Sequence, residues 1–258
     1  MQLKFKKPVG IAAVCYALAL GMAAPKAASA APISSNIQSY VNHGLIDFSA
    51  YMHLVKYDAA AGRRINKDFG LIYEWMKKSH SDLLLRFRLP DMMRIDGRFG
   101  AATGIYIVNS TMQDVRLSVG LNVKTDLSKT PGKRKTLLDM GLLSEDYLSY
   151  TEAQFMGARP YDGKMCAVFR ISYRDKSLDT SHRLVWIDPE TKITVKREEY
   201  SQQGKLRSIW YYRKAKEVAP NLWMPSIIEI DDNLGNLAGE TEYRNVKVNI
   251  PMPLDLFK

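Results

Sequence analysis

The stretch that decides the fold is the C-terminal third, which begins RLVWIDPETKITVKREEY (residues 183–200) and ends NVKVNIPMPLDLFK (residues 245–258). Apolar and aromatic side chains alternate there with Lys, Arg and Glu, and short turns such as residues 188–191 separate the alternating runs. Alternation with a period of two is typical of an antiparallel strand with one buried and one solvated face. The segment therefore predicts consecutive amphipathic strands joined by tight turns.

The same alternation is present upstream of this segment. It predicts strands that begin at Phe48, Phe69, Leu83, Ile105 and Val115, and a further strand from Ala167 to Tyr173. Residues 58–64 are rich in Ala and Gly and are expected to connect a hairpin. Ser34-Ser35 is a candidate cap for a short helix, residues 136–141 for a helical turn, and residues 144–156 for a helix with Ser144 as its N-cap.

About ten or eleven strands follow from this pattern, and a sheet of that size cannot stay flat because its twist accumulates. The predicted fold class is mainly β (α+β). We expect a strongly curved antiparallel sheet that forms an unclosed β-barrel, with short helices covering the opening. Its inner face should be apolar and large enough to hold either filling side chains or a ligand.

Residues 1–30 have the features of a cleaved secretory signal peptide. A basic start is followed by an apolar run over residues 9–24 and by Ala28-Ser29-Ala30, which fits an A-x-A cleavage site. The apolar run of about 16 residues is short for a membrane span, which needs about 20. We therefore expect cleavage near Ala30, export to the periplasm, and a soluble mature chain forming one domain over residues 31–258.

Several function classes find no support in the sequence. The net charge of +10 is spread along the chain, and no zinc-finger, RNP or helix-turn-helix spacing occurs, so no nucleic-acid partner is expected. Nucleophile-elbow, P-loop and dinucleotide motifs are missing too. The adjacent acid pairs Glu198-Glu199 and Asp231-Asp232 are expected in turns or on solvated faces, because strand neighbours point to opposite sides. We predict no catalytic residue, no metal site and no cofactor; the four histidines, which lack metal spacing, are His43, His53, His80 and His182.

Three segments of the C-terminal third match a known family. VWIDPETKITVKREEY (185–200) contains a W-x-D-P-x-T turn, QQGKLRSIWYYRKAKEVAPNLWMPSIIEI (202–230) carries a Trp-x-Pro at residues 223–225, and the chain ends on Asp255-Leu256-Phe257. In these segments the sequence resembles the LolA/LolB-like superfamily of periplasmic lipoprotein carriers and outer-membrane lipoprotein-sorting proteins. The resemblance covers roughly the last third of the chain.

The resemblance implies an unclosed antiparallel barrel with a helical lid, export to the periplasm, and a cavity for acyl chains. In the family an arginine on an early strand holds the lid closed, and four residues compete for that position here: Arg63, Arg64, Arg86 and Arg88. The mature terminus has no lipid-attachment cysteine, which argues against the membrane-anchored receptor branch.

A lipid carrier needs an accessible apolar wall, and alternating apolar side chains supply candidates for it. The candidate ligand-binding residues are Phe48, Met52, Leu54, Phe69, Leu71, Trp75, Leu83, Leu85, Phe87, Phe169, Ile171, Trp186, Trp210, Met224 and Ile228. Each of them also fits ordinary core packing.

The leading functional prediction is a non-enzymatic periplasmic carrier that holds lipid or lipoprotein acyl chains for transfer between membranes. A membrane transporter or receptor would be its further partner. Two alternatives stay open. One is a lipid- or lipoprotein-sensing regulatory module on the same fold. The other is an enzyme that uses the cavity, and this would require buried polar groups that converge in the pocket.

Overall fold

The computed structural model describes residues 31–258, so the predicted signal peptide over residues 1–30 lies outside the described residues. This part of the chain forms one antiparallel sheet and a few short helices. The strands are β1 (Asp47–Tyr57), β2 (Leu83–Arg88), β3 (Met92–Phe99), β4 (Ala102–Asn109), β5 (Met112–Leu117), β6 (Leu121–Asp126), β7 (Thr151–Tyr161), β8 (Lys164–Tyr173), β9 (His182–Ile187), β10 (Thr194–Tyr200), β11 (Leu206–Ala219), β12 (Leu222–Asp232) and β13 (Leu237–Val248). The α-helices are α1 (Ala59–Ile65), α2 (Lys67–Ser79) and α3 (Glu145–Ser149), and 3-10 helices span Ile37–Tyr40, Pro131–Lys133, Leu137–Met140 and Leu254–Phe257.

The sheet has the strand order β6-β5-β4-β3-β2-β1-β13-β12-β11-β10-β9-β8-β7. It consists of two meanders, β1 to β6 and β7 to β13, which join where β1 pairs with β13 and Met52 lies opposite Tyr243. The two outer strands, β6 and β7, do not pair with each other, so the sheet is not closed. The prediction of a mainly β, unclosed antiparallel fold is therefore confirmed.

The strand predicted from Phe69 to Trp75 is wrong, because these residues lie in helix α2. The Asn66 side chain caps this helix by accepting a hydrogen bond from the Phe69 N–H at 2.6 Å. Phe69, Tyr73 and Met76 are buried at helical spacing. The alternating pattern and the helical pattern coexist in this stretch, and the cap together with packing against the sheet decides for the helix.

The hairpin connection predicted over residues 58–64 is also a helix. Asp58 begins α1, since its carboxylate accepts a hydrogen bond from the Ala61 N–H at 2.8 Å. Alanine is the strongest helix former, which explains why this Ala-rich run is helical rather than looped. Helices α1, of 7 residues, and α2, of 13 residues, lie between β1 and β2 in the chain, and the two strands nevertheless pair directly.

The helix predicted over residues 144–156 is correct only in its first turn. Ser144 caps α3 as expected by accepting from the Tyr147 N–H at 3.2 Å. From Thr151 onward the chain forms β7, where Phe155 lies opposite Phe169 of β8. Backbone pairing along β8 therefore outweighs the apolar pattern that favoured a longer helix. Near the start, the 3-10 helix Ile37–Tyr40 is capped by Asn36 and not by the Ser34-Ser35 pair.

The strand count exceeds the predicted ten or eleven because three strands have no clear alternating pattern. β6 is exposed along its whole length, β7 is mostly exposed, and β3 contains two arginines, an aspartate and a glycine. These strands are stabilised by pairing with a neighbour, a signal that sequence periodicity does not carry.

One buried carboxyl links the β2–β3 turn to the segment after α3. Asp91 is only 5% exposed; one of its oxygens accepts a hydrogen bond from the Tyr150 hydroxyl at 2.9 Å, and the other has no partner. Burial is the main cause that raises the pKa of Asp91 to about 6, from an ordinary value of 3.8. Ionised Asp91 therefore costs the fold stability at neutral pH.

We expect Asp91→Asn to stabilise the protein at pH 7–8 by up to about 3 kcal/mol. Because the folded pKa lies above the unfolded value, the cost of the carboxylate is absent below about pH 4 and complete above about pH 6. The stability gap between variant and wild type should therefore close as the pH falls from 7 to 4. Urea unfolding across this range measures it, and a gap that is independent of pH would contradict the assignment.

Candidate functional site

The inner face of the sheet borders a cavity of about 640 Å³. This volume lies within the usual range of small-molecule sites, roughly 300–1,000 Å³. Strands from both meanders line it, from β1 to β5 and from β9 to β13, together with α2 and the segment 130–140. The helical turn expected at residues 136–141 therefore lines the cavity, but the other covering helix is α2, where a strand was predicted, and the helices expected after Ser34-Ser35 and over residues 144–156 do not line it.

One part of the cavity is apolar. Its floor comes from adjacent central strands and its cover from α2 and the 3-10 helix Leu137–Met140. The apolar and aromatic lining residues are Met52, Phe69, Ile72, Tyr73, Leu85, Met93, Ile95, Tyr106, Met140, Trp210, Ile228, Ile230 and Tyr243. Three of these residues are methionines and one is a tryptophan. Methionine side chains are flexible and the tryptophan ring is flat, which suits a ligand of variable shape.

Close contacts with glycine fix α2 against the sheet. A Cβ at Gly239 would lie 2.2 Å from the Tyr73 ring, and a Cβ at Gly104 would lie 2.9 Å from the Trp75 ring. The Trp75 indole N–H also donates to the Arg98 carbonyl at 2.6 Å, and Thr241 donates to the Tyr73 hydroxyl at 3.1 Å. Helix α2 is therefore held against the sheet both by close packing and by hydrogen bonds.

The opposite part of the cavity is bordered by a buried charge network. Arg197 of β10 is 1% exposed and contacts Asp139 at 3.2 Å and Glu199 at 3.4 Å. Its guanidinium also donates to the Leu138 carbonyl at 3.1 Å and lies 4.1 Å from the centre of the Trp210 ring. The network thus ties the segment 137–140 to the sheet.

Glu199 is the acid at the centre of this network. Arg183 contacts it at 3.3 Å from the neighbouring strand β9, and Ser208 donates to it at 3.3 Å. Burial alone would raise the pKa of Glu199, but the positive charges of Arg197 and Arg183 outweigh that effect and lower it to about 2. Glu199 is therefore a permanently charged anchor at neutral pH.

Three loops with basic residues meet at this end of the cavity: residues 127–136, residues 174–181 and residues 201–205. The Asp179 carboxylate holds them together, because it accepts from the Gly132 N–H at 3.1 Å, from the Ser181 N–H at 2.8 Å and from the Gln202 side chain at 3.4 Å. A Cβ at position 132 would lie 2.4 Å from this carboxylate, so a larger residue there would displace it. We call five cationic lining residues the basic rim. Lys133, Arg134 and Lys135 lie in the first loop, Lys205 lies in the third, and Arg207 lies at the start of β11.

Five of the fifteen candidate residues border the cavity: Met52, Phe69, Leu85, Trp210 and Ile228. Phe48, Trp75, Leu83, Phe87 and Met224 belong to the same hydrophobic core without lining the cavity, and Leu54 packs against that core. Phe169 and Ile171 lie in a second core beside α3, and Trp186 lies in a third small cluster with Cys166. Leu71 is 42% exposed because α2 is a helix and turns this residue away from the sheet.

The charged half of the site was not predicted from sequence. The expectation of an apolar inner face holds for only part of the cavity, and the solvated role assigned to Glu199 is wrong. Glu198 and Glu199 do point to opposite sides, since Glu198 pairs with Lys196 at 2.7 Å on the other face. The alternation of Arg197 and Glu199 on one face was the available signal, but only the fold shows that this face turns inward.

The four arginines considered for a lid contact have separate environments, and Arg63 is exposed on α1. Arg64 of α1 pairs with the fully buried carboxylate of Asp232 at 2.5 Å. Arg86 pairs with Asp96 at 2.5 Å, and Arg88 donates to the Met252 carbonyl. Of these, the contact of Arg64 joins helix α1 to the sheet.

Neither a membrane span nor a metal centre emerges from the described part of the chain. None of its helices combines the length and hydrophobicity needed to span a bilayer. Over residues 31–258, no three or more His, Cys, Asp or Glu side chains are grouped so that they could hold a metal ion.

Comparisons with known proteins give the fold a family context. A sequence profile for a family described as "Uncharacterized protein" matches residues 131–258, and no curated protein matches the chain. A domain from Vibrio parahaemolyticus described as an outer membrane lipoprotein-sorting protein superposes with a TM-score of 0.57 at 12% identity, covering 86% of this chain and 92% of that chain. A LolA superfamily protein from Nitrosomonas europaea superposes with a TM-score of 0.51 at 14% identity, covering 86% and 94%. At these identities the likeness establishes the fold, and the chain has the LolA-like fold.

Proposed function

We propose, on the premise of a LolA-like fold, that this chain is a carrier which holds lipid or lipoprotein acyl chains in its cavity and transfers them between membranes. The observation that carries the proposal is a cavity of about 640 Å³ with an apolar floor on the sheet and a helical cover. The lipoprotein-sorting role named for the similar Vibrio protein supports the same reading.

The energetics favour binding without covalent chemistry. Burying one methylene group contributes about 0.8 kcal/mol, which corresponds to about a fourfold gain in affinity per carbon. The apolar lining side chains supply this surface, and α2 and residues 137–140 cover part of it. Release then requires only a competing surface of higher affinity, such as a membrane or a receptor protein.

Export fits this role. The features of residues 1–30 and the A-x-A site support export of the proposed carrier to the periplasm, with residues 31–258 as its single binding domain. A soluble intermediary between two membranes would need that location. A membrane transporter or receptor would then load and unload the cargo.

The polar half of the cavity meets the condition stated for an enzyme, since buried polar groups do converge there. The groups are nevertheless engaged with one another: Glu199 is held by Arg183 and Arg197, and its pKa is about 2. A general base works best when its pKa lies near the operating pH. This arrangement suits fixed charge placement better than proton transfer, and we favour the carrier.

A series of saturated fatty acyl glycerols with 8, 10, 12, 14 and 16 carbons tests the proposal. We expect affinity for the delipidated protein to rise about fourfold per added carbon until the cavity is full, and then to level off. Displacement of a neutral fluorescent probe measures the affinities. Absence of binding by every member of the series, in protein that unfolds cooperatively, would refute the carrier function.

A further inference from the structure

The cavity is amphipathic: one part exposes hydrocarbon, and the other exposes positively charged side chains. The apolar part is lined by side chains that present hydrocarbon to the empty space. The polar part presents cations that have few partners within the protein. This asymmetry bears on the chemical class of the cargo, which the LolA-like fold by itself does not specify.

The acids that line the cavity are already neutralised by contacts inside the protein. Asp139 pairs with Arg197 and accepts from the Thr136 N–H at 2.9 Å. Asp179 accepts from two backbone N–H groups and one side-chain amide, as described above. Glu199 has two arginine partners. Lys135 and Arg207 of the basic rim also help to lower the pKa of Glu199, but three carboxylates leave the six lining cations with an excess of positive charge.

The cations of the basic rim are in the opposite situation. The side-chain amines of Lys133, Lys135 and Lys205 form no hydrogen bond or ion pair with any described residue. Arg207 donates to the Ile65 carbonyl at 3.2 Å, and Arg134 donates to the Ser128 carbonyl at 3.1 Å, so neither is paired with a carboxylate. With Arg183, six cationic and three acidic side chains line the described part of the cavity.

The loops that carry these cations are fixed to each other. Lys133 follows Gly132, whose N–H is bound by Asp179, and Asp179 also binds Gln202 of the turn that leads to Lys205. In that turn, the Lys205 N–H donates to the Ser201 hydroxyl at 3.2 Å. The unpaired charges are therefore gathered at one end of the cavity by hydrogen bonds that do not use them.

We infer that the cargo is an anionic amphiphile, whose phosphate or carboxylate group binds the basic rim while its hydrocarbon tail lies on the apolar floor. This inference rests on the proposed function and narrows its ligand. Charge-assisted hydrogen bonds to an anionic oxygen are the strong ones among protein hydrogen bonds, and several lysine donors can share one phosphate. A phosphate group without a tail would lack the apolar contacts, so the head and the tail act together.

The test compares four compounds on the full-length protein: tetradecyl phosphate, tetradecanol, tetradecyltrimethylammonium and inorganic phosphate. Displacement of the neutral probe N-phenyl-1-naphthylamine gives the tailed affinities, and calorimetry gives that of inorganic phosphate. We expect tetradecyl phosphate to bind about 10- to 100-fold more tightly than tetradecanol, which is the usual effect of hydrogen bonds to a charged group. The ammonium compound should bind most weakly of the three tailed compounds, and inorganic phosphate should show no measurable binding.

The triple variant K133Q/K135Q/K205Q assigns the preference to the basic rim. It should bind tetradecanol as the wild type does and lose the preference for tetradecyl phosphate. The matched control K77Q/K214Q/K216Q makes the same change in charge at exposed lysines outside the cavity and should keep the preference.

The possible failures are distinguishable. Equal affinity of the wild type for tetradecyl phosphate and tetradecanol would overturn the anionic-cargo inference and leave the carrier function intact. A preference that survives in the triple variant would overturn the role of the basic rim. Inorganic phosphate that binds as tightly as tetradecyl phosphate would show a site for free phosphate instead of an amphiphile. Failure of every tailed compound to bind would refute the proposed function itself.

Discussion

Met52→Trp is expected to lower the affinity for acyl ligands by at least about tenfold. Met52 lies on β1, at the seam between the two meanders, and its side chain lines the cavity. The larger and rigid indole would occupy space that the tail needs, and a lost burial of two methylene groups already costs more than tenfold in affinity. Displacement of the neutral probe by monoacylglycerols measures the effect.

Met165→Trp is the matched control for this variant. Met165 is 48% exposed on β8 and does not line the cavity. The same exchange of side chains should leave its ligand affinity within about twofold of the wild type. Overpacking of a buried site costs about 1–3 kcal/mol, so thermal unfolding of both variants has to confirm that they are folded. Wild-type affinity in folded Met52→Trp protein would contradict the placement of the acyl chain.

Arg197→Met is expected to reduce the free energy of unfolding by about 3–5 kcal/mol, the usual cost of removing one partner from a buried ion pair. The substitution leaves Asp139 and Glu199 without their shared cation and removes one of the donors to the Leu138 carbonyl. It also removes the cation that lies over the Trp210 ring. Urea unfolding at pH 7 measures the loss.

Arg213→Met is the control, because Arg213 forms an ion pair with Glu229 at 3.2 Å in which the arginine is 42% exposed. Exposed pairs contribute only about 0–1 kcal/mol.

The difference in the free energy of unfolding between the two variants should also depend on pH. In the wild type the pKa of Glu199 is held at about 2, below its ordinary value of 4.5. Its stabilising contribution is therefore complete above about pH 4.5 and is lost as the pH falls toward 2. Equal losses in Arg197→Met and Arg213→Met would show that the buried network does not stabilise the fold.

Prediction from sequence worked best where local pattern and tertiary environment agree. Strand β2 alternates between buried and half-buried residues along its whole length, so its period of two is visible in the sequence. The cap at Ser144 was predictable for a similar reason, because an N-cap depends on a side chain and a backbone group only three residues apart.

Prediction was wrong where two local patterns overlap or where a partner strand decides. Residues 69–75 alternate like a strand and also place Phe69 and Tyr73 at helical spacing, and only the cap at Asn66 and the contact of Tyr73 with Gly239 favour α2. Thr151 to Tyr161 becomes β7 because β8 offers it backbone hydrogen bonds. A partner from a distant part of the sequence leaves no trace in local periodicity.

The sequence by itself determined the fold class of this protein: alternating hydrophobicity and short turns prescribe an antiparallel meander, because each side chain's face follows from its position along the strand. The tertiary structure decided which inward-facing residues line an open cavity and which fill the core. Phe48 and Met52 share one face of β1, yet only Met52 borders the cavity. The tertiary structure also placed Arg183, Arg197, Glu199 and the basic rim at one end of that cavity. These residues come together because neighbouring strands and hydrogen-bonded loops bring distant parts of the chain into contact, which spacing along the chain does not reveal.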